Sequence, residues 1–523
     1  MPRYIMQIIY SFLLMFLLCQ PLVAQETIEV RTGPPIGDFK TLAIYHVNDV
    51  HSFLKPHFDP FSKSERGGIA SLASMIKEKR ASEEFLFLNA GDIFQGTLFY
   101  HFFSGMAEVE AFNFLGVDAM TFGNHEFDRG CDPLEKAMQK ANFKLVSCNL
   151  YFGGNPELQK LVSPYVIIER CGLKVAVIGL TTDKLAYVTN PACVADVMII
   201  PQIQSMAKAV AEVRGKCDVV VALTHIGNND DVELAENVSG IDIIIGGHTH
   251  TPINKPVIVK RRDGTKCIIC QAGQHLNYLG FLKAKVYPPQ PDGLGPAVEL
   301  DSGGLLPIEA KHAQDPTVSA LVEEYSKRIG EDVRKVIAYI VTPLDGSFKS
   351  VRFGESNLCN MTADLMKNYA GADMAFINGG SFRSSISGPK VTTEDVLTAF
   401  PFDDILVSCE MKGKDIVSEI DQTLSGLQKI PGGFLHVSSG CRLVINGGRL
   451  ESFTFQGRPI EPEKNYKVAT TDFNANGGDG HAVFAKQKYD NTEMVKISDI
   501  ILNFLKQQSQ PVDYKIEGRI VIK

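Results

Sequence analysis

The chain has 523 residues, of which 45% are hydrophobic and 21% are charged, and its formal net charge at pH 7 is −8. This length exceeds one ordinary hydrophobic core and predicts two globular domains joined by a linker. The negative charge excludes the broad basic surface of a protein that coats nucleic acid, so no nucleic-acid polymer is expected as a partner.

The first residues have the pattern of an export signal. Arg3 provides a positive start, residues 8–18 are almost wholly apolar, and Ala24 precedes a polar stretch. The apolar run is too short to span a membrane comfortably, so we expect a signal peptide over residues 1–24. An uncleaved anchor is the alternative. After cleavage we expect no stable membrane span, and a location in the periplasm, at the cell surface or in the medium.

The rest of the chain divides into three parts. Short apolar runs alternate with helical patterns over residues 41–307, which predicts an α/β domain of packed strands and helices. Residues 308–336 contain apolar positions at helical spacing among many charges, and this pattern predicts one exposed linker helix. Residues 337–523 again mix helical and strand patterns and are expected to form a second, smaller α+β domain.

Eleven cysteines are present, and cleavage after Ala24 would leave ten, an even number that permits disulfides without fixing their pairing. Cys267 and Cys270 form a CxxC pair. Residues 266–271 have the pattern of a strand, in which positions three apart point to opposite faces, and the sequence has no second CxxC to complete a zinc site. We therefore expect core or disulfide cysteines here.

Side chains suited to metal binding follow five apolar runs of the first domain. The five motifs are Asn48-Asp49-Val50-His51, Gly91-Asp92, Gly123-Asn124-His125-Glu126-Phe127-Asp128, Thr224-His225 and Gly247-His248-Thr249-His250. Sites in α/β sheets assemble at the carboxyl ends of strands, so these loops are expected to meet. Imidazole together with carboxylate favours zinc, manganese or iron. One shared carboxylate can bridge two ions about 3.5–4 Å apart and hold a hydroxide nucleophile.

The ordered series DxH, GD, GNHE, H and GHxH resembles the motif set of the calcineurin-like metallophosphoesterases. The resemblance implies an N-terminal β-sandwich flanked by helices, with two bound divalent ions, either zinc or manganese. It implies one ion held by Asp49, His51, Asp92 and His250. It implies a second ion held by Asp92, Asn124, His225 and His248, with Asp92 bridging.

The resemblance also implies a catalytic dyad of His125 and Asp128. His125 would stabilise the transition state or protonate the leaving oxygen, and Asp128 would orient its ring. One position departs from the related 5′-nucleotidases, because His250 stands where those enzymes carry an amide. This difference bears on metal preference at the first ion.

The second half of the chain carries groups suited to a nucleotide. Phe402 and Phe473 can sandwich a base, and such stacking contributes about 1–3 kcal/mol per base. Asp479 can accept hydrogen bonds from ribose hydroxyls. Arg352 and Arg383 can pair with phosphate through their planar guanidinium groups. Asn378 opens a Gly-Gly turn, where the backbone can approach a ligand closely.

The segments RFGESN, NGGSFR, FPF and DFNANGGDG that contain these residues resemble the C-terminal domain of 5′-nucleotidases, and the resemblance covers nearly all of residues 41–523. It implies hydrolysis of nucleoside 5′-monophosphates to nucleoside and phosphate by a two-metal-activated hydroxide. UDP-sugars, nucleoside di- and triphosphates and 2′,3′-cyclic nucleotides are alternative substrates within the family. A catalytically silent nucleotide-binding protein is the alternative from another class. The sequence leaves the oligomeric state open.

Overall fold

A computed structural model describes residues 33–59, 62–489 and 495–523. The expected signal peptide of residues 1–24 lies outside these ranges. None of the helices within them has the length and apolar character needed to cross a membrane.

The first domain is built from seventeen strands in the described residues. They are β1 Lys40–Val47, β2 Pro56–Asp59, β3 Ser64–Gly67, β4 Leu86–Asn89, β5 Ala119–Thr121, β6 Lys144–Val146, β7 Leu150–Tyr151, β8 Val162–Ser163, β9 Tyr165–Arg170, β10 Leu173–Thr181, β11 Met198–Ile199, β12 Val219–His225, β13 Ile243–Ile245, β14 Val257–Lys260, β15 Lys266–Cys270, β16 Tyr278–Pro289 and β17 Pro296–Pro307. Its α-helices are α1 Ile69–Ser82, α2 Leu98–Phe103, α3 Met106–Leu115, α4 Cys131–Met138, α5 Pro156–Leu161, α6 Leu185–Val188, α7 Gln202–Val213 and α8 Asn228–Asn237.

Two large sheets pack face to face and form the predicted β-sandwich. One has the strand order β17-β16-β1-β4-β5-β6-β8, and the other has the order β14-β15-β13-β12-β10-β9. The central strands of both sheets are parallel. All seven residues of β12 are buried, as expected for a strand covered on both faces. The carboxyl ends of the parallel strands therefore lie at one edge of the sandwich.

The core between the sheets also accounts for the CxxC pair. Cys270 belongs to the cluster between the sheets, together with Val221 and Ile243. Cys267 belongs to the cluster on the other side of the same sheet, with Met206 of α7. The expectation that the two cysteines point to opposite faces is confirmed, and both are core residues. The ten cysteines of the described ranges are all unpaired.

The second domain contains the remaining elements. Its strands are β18 Val336–Tyr339, β19 Met374–Asn378, β20 Lys390–Thr392, β21 Leu406–Lys412, β22 Leu435–Val437, β23 Cys441–Asn446, β24 Arg449–Phe455, β25 Arg458–Pro459, β26 Asn465–Thr471 and β27 Ile520–Ile522. The helices from the linker onward are α9 Pro316–Ile329, α10 Phe348–Phe353, α11 Asn357–Ala370, α12 Thr393–Ala399, α13 Gly413–Gly426, α14 Asp472–Ala475 and α15 Ile497–Lys506. Two four-stranded sheets, β21-β26-β19-β22 and β25-β24-β23-β27, form its framework.

The linker helix is shorter than the expected segment and has one buried face. It begins at Pro316, where the side chain of Asp315 accepts hydrogen bonds from two backbone N–H groups, and it ends at Ile329. Val318 and Val322 are buried, whereas Glu323 and Lys327 are exposed, so the helix has one apolar face and is exposed on the other. The hydroxyl of Tyr325 donates to Glu110 of α3 at 2.9 Å. The helix therefore packs on the first domain.

The core between the sheets should be sensitive to the loss of side-chain volume. Ile243 is fully buried there, so Ile243→Ala should lower the free energy of unfolding by about 2–5 kcal/mol. Ile258, on edge strand β14, is 45% exposed, and Ile258→Ala should change it by no more than about 0.5 kcal/mol. Urea unfolding followed by circular dichroism measures both. An equal loss in the two variants would contradict the described packing.

Candidate active site

The loops at the carboxyl edge of the sandwich bring together all seven predicted metal-binding residues. Asp49 and His51 follow β1, Asp92 follows β4, and Asn124 follows β5. His225 ends β12, and the last two residues, His248 and His250, follow β13. Three overlapping groups have ligand atoms within 4.8 Å of one another. These groups are Asp49 with His51 and His250, His51 with Asp92 and His125, and Asp92 with His225 and His248.

The backbone of these loops is held in an unusual conformation. Asp49, His51 and Asp92 have φ angles of 50°, 50° and 55°, and His248 and His250 have angles of 80° and 55°. Non-glycine residues enter this left-handed region at a cost and cluster at functional sites. The surrounding fold must therefore hold these residues in place strongly enough to offset the cost of this backbone conformation.

Two glycines of the motifs are needed because the loops approach one another closely. A Cβ atom added at Gly123 would clash with Oδ1 of Asp92. One added at Gly247 would lie 2.8 Å from Nδ1 of His225 and 3.1 Å from Oδ2 of Asp49. Any larger residue would push the carboxylates and imidazoles apart, so the glycines keep the cluster compact.

The orientation of the imidazoles suits divalent cations. Nδ1 of His225 lies 2.7 Å from the carbonyl oxygen of Ala90, which leaves Nε2 facing Oδ2 of Asp92 at 3.0 Å. This Nε2 is buried and makes no hydrogen bond of adequate geometry. Nε2 of His51 lies 3.0 Å from Nε2 of His250, so two ring nitrogens face each other. Inward-facing nitrogen and carboxylate donors of this kind match the ligand preferences of zinc and manganese.

The electrostatics between Asp92 and His225 also favour positive charge. Burial alone would lower the pKa of His225, but the carboxylates of Asp92 and Asp49 outweigh this effect and raise the pKa to about 10. Burial raises the pKa of Asp92, but His225 and His125 bring it well below its usual value. The position between Asp92 and His225 therefore stabilises a cation, which can be a proton or a metal ion.

The predicted dyad has the expected geometry. Nδ1 of His125 lies 2.7 Å from Oδ2 of Asp128, and Oδ1 of Asp128 accepts a hydrogen bond from the hydroxyl of Thr189 at 3.0 Å. Burial lowers the pKa of His125, but Asp128 and Asp92 raise it above its usual value. Nε2 of His125 lies 2.6 Å from Nη2 of Arg383, a residue of the second domain. The dyad thus lies where the two domains meet.

The predicted substrate-binding residues of the second domain lie in a connected group. Nδ2 of Asn378 donates to Oδ2 of Asp479 at 2.8 Å. Arg383 lies over the ring of Phe402, 5.2 Å from its centroid, and that ring lies 6.0 Å from the ring of His125. Burial lowers the pKa of Arg352, and Arg383 lowers it further, to about 10. The structure therefore brings Arg383 and Phe402 to the dyad.

Phe473 lies in α14, and the glycine-rich turn that contains Asp479 follows this helix. A Cβ atom added at Gly478 would clash with the Phe473 ring. Asp479 has a φ of 51°, and burial raises its pKa, against the opposing effects of His481 and Asn378. This loop presents the carboxylate of Asp479 from a constrained turn beside an aromatic ring.

Sequence reasoning does not assign two residues that support the site. Glu126 is buried, and its carboxylate accepts hydrogen bonds from the backbone N–H groups of Asp92, Ile93, Phe94 and Gly123. The backbone N–H of His275 donates to the carbonyl oxygen of Asp49 at 2.8 Å, and its ring lies 5.7 Å from that of His51. The presence of Glu126 within the GNHE motif is the signal that could have identified it.

Two protein-family models match this chain, one after the other along its length. The calcineurin-like phosphoesterase model matches residues 42–252, and the model of the 5′-nucleotidase C-terminal domain matches residues 336–486. The trifunctional nucleotide phosphoesterase protein YfkN of Bacillus subtilis is 31% identical over 93% of this chain. The chain spans 35% of the length of that relative.

Two other comparisons cover nearly the whole length of both proteins. Protein UshA of Yersinia enterocolitica is 30% identical to this chain over 92% of its residues and over 94% of the relative. The crystal structure of the 5′-nucleotidase precursor from Thermus thermophilus superposes with a TM-score of 0.83 at 30% identity. That match covers 92% of this chain and 99% of the crystallised chain. The likeness therefore extends through both domains and the linker.

The hydrogen bonds of Glu126 should contribute measurably to stability. Glu126→Gln places an amide N–H₂ group against backbone N–H donors, so the free energy of unfolding should fall by about 1.5–3 kcal/mol. The measurement is urea unfolding at pH 8 in EDTA, so that metal binding does not contribute. Glu157→Gln is the matched control, because Glu157 is an exposed residue paired with Lys160. A loss no larger than that of the control would contradict the anchoring role.

Proposed function

The chain belongs to the 5′-nucleotidase family, and from that premise we propose that it hydrolyses nucleoside 5′-monophosphates to nucleoside and phosphate. The observation that carries this proposal is the contact of 2.6 Å between Nη2 of Arg383 and Nε2 of His125. Through it, the proposed phosphate-binding guanidinium of the second domain lies directly against the proposed proton donor, beside the metal-binding cluster. A phosphate ester placed there reaches both.

The proposed metal ligands form two sets that share Asp92. Asp49, His51 and His250 make up the rest of one set, and Asn124, His225 and His248 make up the rest of the other. We propose zinc in both positions, with manganese as the alternative, because imidazole and carboxylate donors suit these ions. Two such ions, when bound, activate water as the nucleophile and neutralise charge on the phosphate.

The proposed proton transfer uses the His125–Asp128 dyad. The carboxylate of Asp128 holds Nδ1 of His125 at 2.7 Å, which directs Nε2 toward Arg383 of the second domain. In the structure, Nη2 of Arg383 donates to Nε2 of His125. When Arg383 pairs instead with the phosphate, the raised pKa of His125 favours the protonated ring, and Nε2 can donate a proton to the leaving ribose oxygen. Asp128 fixes the orientation of the imidazole.

The second domain is proposed to bind the rest of the nucleotide. Arg383 and Arg352 pair with phosphate oxygens, and Phe402 and Phe473 stack on the base. The carboxylate of Asp479 accepts hydrogen bonds from the ribose hydroxyls. Asn378 holds that carboxylate through a hydrogen bond of 2.8 Å and, by the family resemblance, also contacts the substrate.

We also propose that the protein is exported and acts on nucleotides outside the cytoplasm. The support is the apolar segment at residues 8–18, which is followed by Ala24. The division into domains at residues 41–307, 308–336 and 337–523 remains our proposal as well.

Phosphate release tests both the substrate and the metal dependence. Purified protein should release phosphate from AMP in preference to UDP-glucose, ATP and 2′,3′-cyclic AMP. Release should stop in EDTA and return on addition of zinc or manganese, because the nucleophile depends on the ions. Preference for another substrate would move the assignment within the family. Binding of nucleotide and metal without any release would indicate a silent binding protein.

The role of His125 can be separated from metal binding. His125→Ala should lower kcat for AMP by about 10²–10⁴-fold, the usual contribution of a general acid, while the bound metal measured by mass spectrometry stays the same. His312→Ala is the control, because His312 lies just before the linker helix and is hydrogen-bonded to the backbone of Glu309. Full kcat in His125→Ala, or a loss of metal, would show that the dyad is assigned wrongly.

A further inference from the structure

A salt bridge joins the two domains beside Phe402. Nη2 of Arg129 in the first domain lies 2.8 Å from Oδ2 of Asp403 in the second. Asp403 follows Phe402 in the chain, and Arg129 follows Asp128 of the dyad. Nη1 of Arg129 is held within the first domain. It donates to the carbonyl oxygens of Tyr100 and His101 and to the hydroxyl of Ser104.

A second polar contact joins the domains beside Phe473. Nδ2 of Asn190 donates to Oδ2 of Asp472 at 3.0 Å, and Asp472 immediately precedes Phe473. On the first-domain side, Asn190 follows Thr189, whose hydroxyl donates to Oδ1 of Asp128 at 3.0 Å. The other oxygen of Asp472 accepts the backbone N–H of Ile405 at 2.7 Å, so this carboxylate is fixed on both sides.

The two contacts share one arrangement. In the second domain, each contact uses a residue adjacent in sequence to a proposed base-binding phenylalanine. In the first domain, Arg129 is adjacent to Asp128, and Asn190 is adjacent to Thr189, which donates a hydrogen bond to Asp128. A single linker connects the domains covalently, so contacts across the interface determine how the domains are oriented. Phe402, Phe473 and the dyad are thus brought into register from two separate points of the interface.

We propose that Arg129 and Asn190 are positioning residues that hold the base-binding phenylalanines in register with the His125–Asp128 dyad. Neither residue is among the proposed metal ligands, dyad or substrate contacts. Each acts through the segment it holds in the opposite domain. The inference rests on the proposed function for its kinetic consequence, whereas its effect on domain orientation can be measured without any substrate.

The Asn190–Asp472 contact allows a test by exchange of partners. In Asn190→Asp a carboxylate faces the carboxylate of Asp472, while the oxygen that accepts the N–H of Ala192 is retained. The repulsion should separate the domains. In the double variant Asn190→Asp/Asp472→Asn, the new amide can donate to the new carboxylate and its oxygen can still accept the N–H of Ile405. The double variant should therefore restore the hydrogen bond between residues 190 and 472, with the donor and the acceptor exchanged.

The first measurement is small-angle X-ray scattering of the zinc-loaded full chain without nucleotide. Asn190→Asp should increase the radius of gyration, and the double variant should return it to the wild-type value. Glu463→Gln is the matched control for loss of a charge pair, because Glu463 pairs with Lys412 and Lys414 on the surface of the second domain. This control should leave the scattering unchanged.

The second measurement is steady-state hydrolysis of AMP with bound zinc quantified in each variant. Asn190→Asp should lower kcat/KM by about tenfold, the size expected when two contacting polar residues lose their interaction. The double variant should recover most of it. Asp403→Asn should also lower kcat/KM, since it removes the charge that Arg129 contacts.

The outcomes separate this inference from the proposed function. Wild-type scattering in Asn190→Asp, or failure of the double variant to recover scattering and kcat/KM, would overturn the positioning role. A local structural defect at residue 190 predicts that second result, since exchanging the partner would not repair it. If no variant, including wild type, hydrolyses AMP, the proposed function fails, and the scattering data still decide the role of the contact.

Discussion

The structure of the site depends on the burial of one carboxylate. Asp92 is 1% exposed at the end of β4, where an uncompensated charge would be costly. Its Oδ1 accepts the backbone N–H of His125 at 2.8 Å, and its Oδ2 faces Nε2 of His225 at 3.0 Å. The compensating groups come from loops that follow different strands. The need to surround this charge therefore explains why the loops converge and why Gly123 must lack a side chain.

Two buried carboxylates in this region have different roles because their surroundings differ. The carboxylate of Glu126 accepts hydrogen bonds from four backbone N–H groups, so this residue links the loops that contain Asp92 and Gly123. Burial and the charge of Asp92 raise the pKa of Glu126 to about 7, whereas histidines bring that of Asp92 well below its usual value. A pair of titratable groups whose pKa values are pushed apart is typical of a site with divided functions.

The sequence could predict the features that depend on local pattern. Four of the five predicted metal-binding motifs follow a strand, and the fifth, Thr224-His225, ends one. Parallel strands bring their carboxyl ends to one edge, so Asp49 and His225 could be expected to meet. The opposite faces of Cys267 and Cys270 follow from the period of a strand. The linker helix was recognisable from its spacing, but spacing does not identify the surface that covers Val318. Its contact with the first domain therefore required the structure.

The contacts between domains could not be derived from local pattern. His125 and Arg383 are 258 positions apart, and no periodicity relates a turn after β19 to a loop after β5. The consequence is chemical as well as structural. Burial lowers the pKa of Arg383, and burial and Arg383 together lower that of Arg352, so these guanidinium groups lack full compensation within the protein. In the proposed function, the phosphate of the substrate would supply that compensation. The first domain concentrates carboxylates and imidazoles and the second concentrates arginines, so neither domain alone balances the charge of a bound nucleotide.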